Sequence, residues 1–336
     1  MVRVAVAQLG SVAFDSAATT DKAIAAIREA GRGGARVAVF PEAFLGTYPK
    51  GLNFGSPVGR RTEEGRDEYL RTWRSAVELD GPELAAIADA AQQESVFVVI
   101  GVIERAGRTC YCTIVMIDEH GATVGYHRKL MPTGAERLIW GFGDGSTLSV
   151  VDSPAGKLGS VICWENYMPL LRTAMYSQGI EIYCAPTADD RDTWMSTMRH
   201  IALEGRCFVI TACQVMRRRD YPQDYQTEFG TSPEDVLMRG GSAVISPRGE
   251  VLVGPVYDEE QLIYADLDTD ELVRQALDFD AIGHYARADV FRLHVDTEPK
   301  VPVALHAEPA QSRVAVPMSI STSTSSVPLP VRMSKE

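Results

Sequence analysis

The chain of 336 residues lacks several features that would assign it to whole classes of protein. It has no uninterrupted apolar run of about 18 residues, the length that a membrane-spanning helix needs. It begins with a strand pattern, without the separate apolar segment and small-residue cleavage site that are typical of a signal peptide. These absences predict a cytoplasmic protein that does not enter a membrane.

Acidic residues outnumber basic residues in this chain. The 33 lysines and arginines stand against 45 aspartates and glutamates, which gives a net charge of −12. A chain this acidic repels phosphate backbones and anionic lipid surfaces, so neither nucleic acid nor membrane is an expected partner. The basic run at 217–219 is short and local, and we interpret it as a solvated loop.

The six cysteines include no C-x-x-C pair, so the spacing typical of a zinc site is missing. A long chain without secretion signals also gives little reason to expect disulfides. Four of the six lie in apolar, strand-like runs, where a free cysteine is a common small core residue. Cys163 has a different setting, described below.

Short apolar runs alternate with helical patterns along most of the chain, and hydrophobic residues make up 45% of it. This order mixes β-α-β units with a hairpin at 109–118 and 122–127. It predicts an α/β protein with a mixed sheet, or two sheets, covered by helices. Predicted strands include 2–9, 37–40, 96–103, 158–163, 180–185 and 207–213, and predicted helices include 21–31, 82–93, 168–178 and 192–205.

The composition changes near the end of the chain. No linker is evident before residue 296, but proline clusters and a Ser/Thr run follow it. Such segments lack the apolar periodicity that a packed core requires. We therefore predict one domain over 1–295 and a poorly ordered tail over 296–336.

Cys163 lies where an apolar strand ends and a helix begins shortly afterwards. A strand-to-helix turn exposes a nucleophile and directs backbone N–H groups at the reacting atom. Alone, the position is equally compatible with a core cysteine at a strand end. A catalytic thiol also needs a base or a cation. Neither His127, beside Lys129, nor His200, within a predicted helix, has a setting distinctive of such a partner. A Cys-His-Asn arrangement therefore stays open but is not favoured.

Two further segments place charged residues at strand ends. Glu42 follows the buried strand 37–40 and Pro41, where an unpaired carboxylate is costly unless it has a task. Lys129 ends a basic strand and precedes a loop that contains Glu136. Each has a simpler explanation, a rim salt bridge for Glu42 and a solvated edge strand for Lys129. Strand ends in α/β sheets converge on one crevice. We therefore expect Glu42, Lys129 and Cys163 to meet at a single site.

The three segments, in this order, resemble the nitrilase superfamily of carbon–nitrogen hydrolases. Phe-Pro-Glu at 40–42, His-Arg-Lys-Leu at 127–130 and Cys-Trp-Glu-Asn at 163–166 look like its glutamate, lysine and cysteine motifs. The run Cys-Trp-Glu-Asn, with Pro-Thr at 132–133, Glu-Arg at 136–137 and Gly-Asp-Gly at 143–145, resembles the true nitrilase branch of plants and their bacterial relatives. The resemblance covers about residues 2–295.

The resemblance implies a four-layer α-β-β-α sandwich and a homo-oligomer, a dimer that extends into a spiral or filament. It implies hydrolysis of small organic nitriles to the carboxylic acid and ammonia, or to the amide if the thiol leaves early, without a metal or organic cofactor. Cys163 would be the nucleophile, Glu42 the proton carrier, Lys129 the electrostatic partner and Glu136 the residue that orients them. 3-Cyanoalanine and arylaliphatic nitriles are the expected substrates.

Loops beside these residues supply the expected substrate pocket. Many nitrilases carry histidine where this chain has Gly134, a difference that bears on pocket shape. The candidate substrate-binding residues are Tyr48, Thr133, Gly134, Trp164, Pro186, Thr187 and Trp194.

Two alternatives to a nitrilase stay open at this point. One is an amidase of the same superfamily, and the other is a non-catalytic scaffold that kept the fold for filament formation.

Overall fold

A computed structural model describes residues 1–225, 227–301 and 303 of the chain. One compact unit spans Met1–Pro299, and a second begins at Lys300. Most of the predicted tail, including 304–336, lies outside the described residues. Within the described part, no helix is long and apolar enough to cross a membrane.

The first sheet has six strands in the order β13-β1-β2-β3-β4-β5. Its central strands β1, β2 and β3 are parallel, and the outer pairs are antiparallel. The predicted hairpin is present as β4 and β5, which are joined by a short turn. The strands of this sheet are β1 (Val2–Gln8), β2 (Val37–Val39), β3 (Phe97–Ala106), β4 (Thr109–Ile117), β5 (Thr123–Arg128) and β13 (Gln261–Leu267).

The second sheet has seven strands in the order β10-β11-β9-β8-β7-β6, with β12 also paired to β11. Strands β7, β8 and β9 are parallel, so their carboxyl ends lie along one edge. The strands are β6 (Val150–Ser153), β7 (Gly156–Ser160), β8 (Ile182–Thr187), β9 (Phe208–Cys213), β10 (Val215–Arg217), β11 (Val236–Ile245) and β12 (Val251–Tyr257).

In the described part of the chain, six α-helices accompany the sheets. Asp15 caps the first, accepting a hydrogen bond from the Ala18 N–H at 2.9 Å, so this helix starts five residues earlier than the sequence pattern predicts. The helix over 63–75 was not predicted at all. The helices are α1 (Ser16–Arg32), α2 (Glu63–Ser75), α3 (Pro82–Glu94), α4 (Pro169–Tyr176), α5 (Asp192–Gly205) and α6 (Asp270–Ala276).

Three apolar clusters hold these layers together. One lies between the two sheets, where β-branched residues such as Val39, Ile114 and Ile182 point inward. A second joins the first sheet to α1 and α3, and a third joins the second sheet to α4 and α5. Helices therefore cover the outer face of each sheet, and the predicted α-β-β-α sandwich is confirmed.

Candidate active site

The predicted carboxylate, ammonium and thiol follow three strand ends. Glu42 comes three residues after β2, Lys129 directly after β5, and Cys163 three residues after β7. Strands β2 and β5 belong to the first sheet and β7 to the second. Cys163 is part of the apolar cluster between the sheets, so the site forms where the two sheets face one another.

The turn that presents Glu42 depends on a close approach of backbone to backbone. A Cβ atom at Gly101 of β3 would lie 2.2 Å from the Pro41 carbonyl oxygen and 2.7 Å from the Glu42 Cα. Only glycine leaves room for this turn. From the second sheet, the Gln214 side-chain amide donates to the Glu42 carbonyl at 2.9 Å. Both sheets therefore fix the backbone that carries the carboxylate.

Lys129 donates to two carboxylates. Its Nζ lies 2.7 Å from Glu42 Oε1 and 2.8 Å from Glu136 Oε2, and the side chains of Lys129 and Glu42 are fully buried. Burial opposes ionisation of the lysine, but the charges of Glu42 and Glu136 outweigh it and hold the pKa of Lys129 well above its usual value. Lys129 is therefore a fixed cation at neutral pH.

Glu136 is itself held from two further directions. The Tyr48 hydroxyl donates to its Oε1 at 2.6 Å, and the Thr133 N–H donates to its Oε2 at 2.6 Å. Burial, followed by the charge of Glu136, raises the pKa of Tyr48 well above its usual value. The Tyr48 hydroxyl thus stays protonated and remains a donor. These contacts orient Glu136 towards Lys129.

The two oxygens of Glu42 have different surroundings. Oε1 accepts from Lys129 and, at 3.5 Å, from the Cys112 thiol. Oε2 is buried and has no hydrogen-bond partner among the described residues. Burial raises the pKa of Glu42, and the charge of Lys129 works against that rise. A buried oxygen without a partner needs an explanation, and a proton carrier supplies one, because Oε2 is free to exchange a proton.

Cys163 opens a short 3₁₀ turn, Cys163–Tyr167, and adopts a left-handed backbone conformation with φ of 49°. A residue with a Cβ pays in strain for such a conformation, which occurs often at active sites. The thiol is 4% exposed. The Thr187 hydroxyl, at the end of the neighbouring strand β8, donates to its Sγ at 3.2 Å.

The charge state of this thiol follows from its surroundings. Burial raises the pKa of Cys163 well above its usual value, and the negative charge of Glu42 adds to the rise, whereas Lys129 opposes it. Cys163 is therefore a neutral thiol at neutral pH. The thiolate is the reactive form of a cysteine, so any reaction at this sulfur would require removal of its proton.

A cavity of about 180 Å³ opens at the thiol. Trp164 forms one wall, its indole N–H donating to Asp189 Oδ2 at 2.8 Å, and the Arg191 guanidinium lies 4.9 Å from the centre of its ring. The residues that line this cavity are Tyr48, Lys50, Thr133, Glu136, Cys163, Trp164, Ala188, Asp189, Asp190 and Arg191.

A second cavity, of about 390 Å³, shares four lining residues with the first: Tyr48, Lys50, Thr133 and Glu136. Its remaining walls are largely apolar. The two cavities border one another, so a ligand whose head reaches Cys163 can extend into the second. The apolar side chains there are Pro49, Leu52, Phe54, Ala135, Ile139 and Phe229.

The structure brings some of the predicted pocket residues to the thiol and leaves others elsewhere. Tyr48, Thr133 and Trp164 line the first cavity, and Thr187 contacts the sulfur. Gly134 and Pro186 line neither of these two cavities.

Trp194 is also placed outside both cavities. It lies in the core between α5 and the second sheet, and its indole N–H donates to Thr211 at 2.9 Å. The helical pattern predicts an apolar face for α5, and that face packs on the sheet rather than facing the site.

Sequence reasoning did not single out several residues that the structure places at the site. Cys112 contacts the carboxylate of Glu42. It lies in an apolar strand, and that pattern does not indicate a position in an active site. Lys50, Asp189 and Arg191 line the cavity. Asp189 and Arg191 lie two and four residues after the end of β8. A loop at the carboxyl end of a parallel strand is a signal that could have found them. Among the described residues, no cluster of three or more His, Cys, Asp or Glu side chains could hold a metal ion.

The sequence pattern of one family, Carbon-nitrogen hydrolase, matches residues 3–276. The chain therefore belongs to the carbon–nitrogen hydrolase family and is an enzyme of that family. Its curated relatives at 50 to 57% identity are nitrilases of bacteria and plants, which confirms the resemblance to the nitrilase branch.

Two relatives and one structure illustrate the match. "Nitrilase blr3397" of Bradyrhizobium diazoefficiens is 57% identical, with 89% of this chain and 93% of that protein covered. The "Bifunctional nitrilase/nitrile hydratase NIT4A" of Lupinus angustifolius is 51% identical, with 90% and 88% covered. The crystal structure of a carbon–nitrogen hydrolase from Helicobacter pylori G27 has a TM-score of 0.67 at 19% identity, with 86% and 96% covered, and supports the fold alone.

Proposed function

We propose that this enzyme hydrolyses small organic nitriles to the carboxylic acid and ammonia, with Cys163 as nucleophile, Glu42 as proton carrier and Lys129 as electrostatic partner. One observation carries the proposal. Cys163 is a neutral, strained thiol whose pKa responds to the charges of Glu42 and Lys129. The Glu42 carboxylate pairs with the buried Lys129 through one oxygen, and its other oxygen has no hydrogen-bond partner in the described part of the chain. Relatives at more than half identity that are nitrilases support nitriles as the substrate.

The first half of the reaction attaches the substrate to the enzyme. The sulfur of Cys163 adds to the nitrile carbon, and Glu42 takes the thiol proton and passes it to the nitrogen, which gives a thioimidate. Lys129 stabilises the negative charge that develops on the nitrogen. The backbone N–H of Trp164 is a candidate second donor. It belongs to the first turn of the 3₁₀ helix Cys163–Tyr167, and N–H groups there have no partner within the helix.

Two water molecules complete the conversion. The first, activated by Glu42, adds to the thioimidate and gives a tetrahedral adduct. When its nitrogen is protonated, the carbon–nitrogen bond breaks and ammonia leaves a thioester. The second water cleaves the thioester, which releases the acid and restores the thiol. If the carbon–sulfur bond of the adduct breaks instead, the product is the amide. Glu136 holds Lys129 and thereby Glu42 in place throughout.

The cavities favour a substrate with a small nitrile head and a longer tail. The first cavity accepts the head beside Cys163, and the apolar walls of the second suit the ring of an arylaliphatic nitrile. Lys50 borders both cavities. Its ammonium suits a carboxylate on the tail, such as that of 3-cyanoalanine.

A product analysis tests the proposal. Purified enzyme is given a panel of arylaliphatic nitriles and 3-cyanoalanine, and in parallel the corresponding amides, and the acid, amide and ammonia are quantified. We expect the nitriles to be consumed with ammonia release, and faster than the amides. Faster turnover of the amides would identify an amidase instead.

Alkylation of Cys163 tests the alternative that the protein is a non-catalytic scaffold. Iodoacetamide should alkylate Cys163, and a nitrile that is a substrate should protect it. A thiol that neither reacts nor is protected, in a protein that consumes no nitrile, would support the scaffold. Assembly into a dimer, spiral or filament, and a location in the cytoplasm, remain predictions from the sequence and the family.

A further inference from the structure

Beside the three proposed catalytic residues lies a second buried pair of polar side chains, Glu165 and His127. Each is 1% exposed. The ring Nε2 of His127 lies 3.1 Å from Glu165 Oε2, and its Nδ1 lies 3.3 Å from the Thr147 hydroxyl. Neither takes part in the chemistry proposed above, yet burying such groups is costly unless they serve a purpose.

The carboxylate of Glu165 binds the backbone on both sides of the site. Its Oε1 accepts from the Leu130 N–H at 2.5 Å, and its Oε2 accepts from the Ile162 N–H at 3.0 Å. Leu130 follows Lys129 directly, and Ile162 directly precedes Cys163. One side chain therefore holds the residue next to the lysine and the residue next to the nucleophile.

This link also crosses between the two sheets. His127 and the segment that leads to Lys129 belong to β5 and its end in the first sheet, whereas Ile162 follows β7 in the second. Strands β5 and β7 are not neighbours in a sheet, so no ladder of backbone hydrogen bonds sets their spacing. His127 approaches the same carboxylate from within β5 and adds a third contact to it.

We propose that Glu165 and His127 are positioning residues that set the distance between Lys129 and Cys163, and thereby the division of product between acid and amide. The inference rests on the proposed function. In the tetrahedral adduct the nitrogen leaves as ammonia only if a proton reaches it, which gives the thioester. Otherwise the carbon–sulfur bond breaks, the sulfur departs as thiolate and recovers a proton, and the amide is released.

The two outcomes depend differently on geometry. Protonation of the nitrogen requires the adduct, which is attached to Cys163, to lie against Glu42 and Lys129. A displacement of about 1 Å at a reacting centre costs about 100-fold in rate. Departure of the sulfur requires no proton on that nitrogen, so it depends less on how closely the adduct lies against Glu42 and Lys129. Loosening the link between the Lys129 and Cys163 segments should therefore slow acid formation more than amide formation.

The test is Glu165→Gln. The amide can accept one hydrogen bond through its oxygen, but its NH₂ group then faces a second N–H donor, so at least one backbone link is lost. We expect kcat for acid formation to fall by about tenfold or more, KM to change by less than about threefold, and the amide fraction of the product to rise. Alkylation of Cys163 by iodoacetamide should also slow.

A matched control separates positioning from general stability. Glu181 accepts the Lys157 N–H at 2.7 Å at the opposite end of β7. Glu181→Gln weakens a side-chain link to β7 far from the thiol, so it should leave the acid-to-amide ratio unchanged. If Glu165→Gln does not fold, His127→Gln provides the same readouts, because it weakens the same link from the other side.

Three results would overturn the inference. One is an unchanged product ratio and kcat in a folded Glu165→Gln or His127→Gln variant. Another is an equal change in Glu181→Gln. The third is a rise of KM alone. If the wild-type enzyme consumes no nitrile, the proposed function fails, but the alkylation rate of Cys163 still reports whether Glu165 positions the thiol.

Discussion

Lys129 and Glu42 form a fully buried ion pair with 2.7 Å between Nζ and Oε1, while the second oxygen of the same carboxylate has no partner among the described residues. The two oxygens of this carboxylate can therefore have different roles. One oxygen is fixed to a permanent cation, and the other is free to exchange a proton. Replacing the thiol that we propose as the source of that proton gives the most direct test of the site.

Cys163→Ala should abolish ammonia release from every nitrile while the protein stays folded. The change removes the nucleophile but only one buried heavy atom, so the stability loss should be about 1 kcal/mol. Ammonia release and the thermal melting temperature are the measurements. Cys184→Ala is the matched control, because Cys184 is a fully buried thiol on β8 that lacks the carboxylate and lysine partners. Ammonia release that survives in Cys163→Ala would remove this residue from the mechanism.

Lys129→Ala should lower kcat by about 100- to 1000-fold, as the loss of one oxyanion donor does elsewhere. It should also destabilise the fold by about 3–5 kcal/mol, since Glu42 and Glu136 would be left buried without their cation. Steady-state kinetics and chemical denaturation measure the two effects. The exposed Lys157→Ala should change neither. A turnover number near that of the wild type would refute the electrostatic role of Lys129.

Glu136→Gln should move the acid limb of the kcat/KM profile to lower pH. In the mechanism that we propose, activity requires ionised Glu42, so it is lost as the pH falls through the pKa of that residue. Burial raises this pKa, and the negative charge of Glu136 raises it further. Removing that charge makes Glu42 easier to ionise, so its pKa falls. The measurement is kcat/KM against pH, which reports groups of the free enzyme.

Glu181→Gln is again the control, because its carboxylate lies at the other end of β7 and should not affect the profile. An acid limb that stays in place, or that moves to higher pH in Glu136→Gln, would contradict the assignment of that limb to Glu42.

The positions of Glu42 and Cys163 could be anticipated because each follows a strand that an apolar run reveals, and that of Lys129 because it follows the second strand of the predicted hairpin. The strand over 158–163 was predicted too long, however. It ends at Ser160, and Cys163 opens a 3₁₀ turn instead. The apolar residues Val161 and Ile162 continue the pattern past the strand because they are buried in the core. Hydrophobicity records burial, and it does not distinguish a strand from the turn that follows it.

Helix α2 escaped prediction for the opposite reason. Its sequence is mostly charged, and only Gly65, Thr72 and Ser75 are buried, so it shows no apolar stripe. A local signal was present at its start, where the Thr62 hydroxyl accepts from the Gly65 N–H at 3.1 Å and two glutamates follow. Contacts between distant segments, such as Glu165 with Leu130, leave no comparable trace in the sequence.

The half-buried Lys50 separates the two proposed substrate classes, because it lines both cavities. Among the described residues, its ammonium donates only to the Ala188 carbonyl, at 3.2 Å. Lys50→Met should raise KM for a nitrile with a carboxylate, such as 3-cyanoalanine, by about tenfold or more, since a hydrogen bond to a charged group contributes about 1.5–3 kcal/mol. KM for an uncharged arylaliphatic nitrile should stay within about twofold, because its binding depends on the apolar walls. Michaelis curves for both substrates measure the difference, and Lys157→Met controls for the loss of a lysine elsewhere. Equal increases for both substrates would mean that Lys50 acts by holding its loop against Ala188, and no increase for either would place it off the binding path.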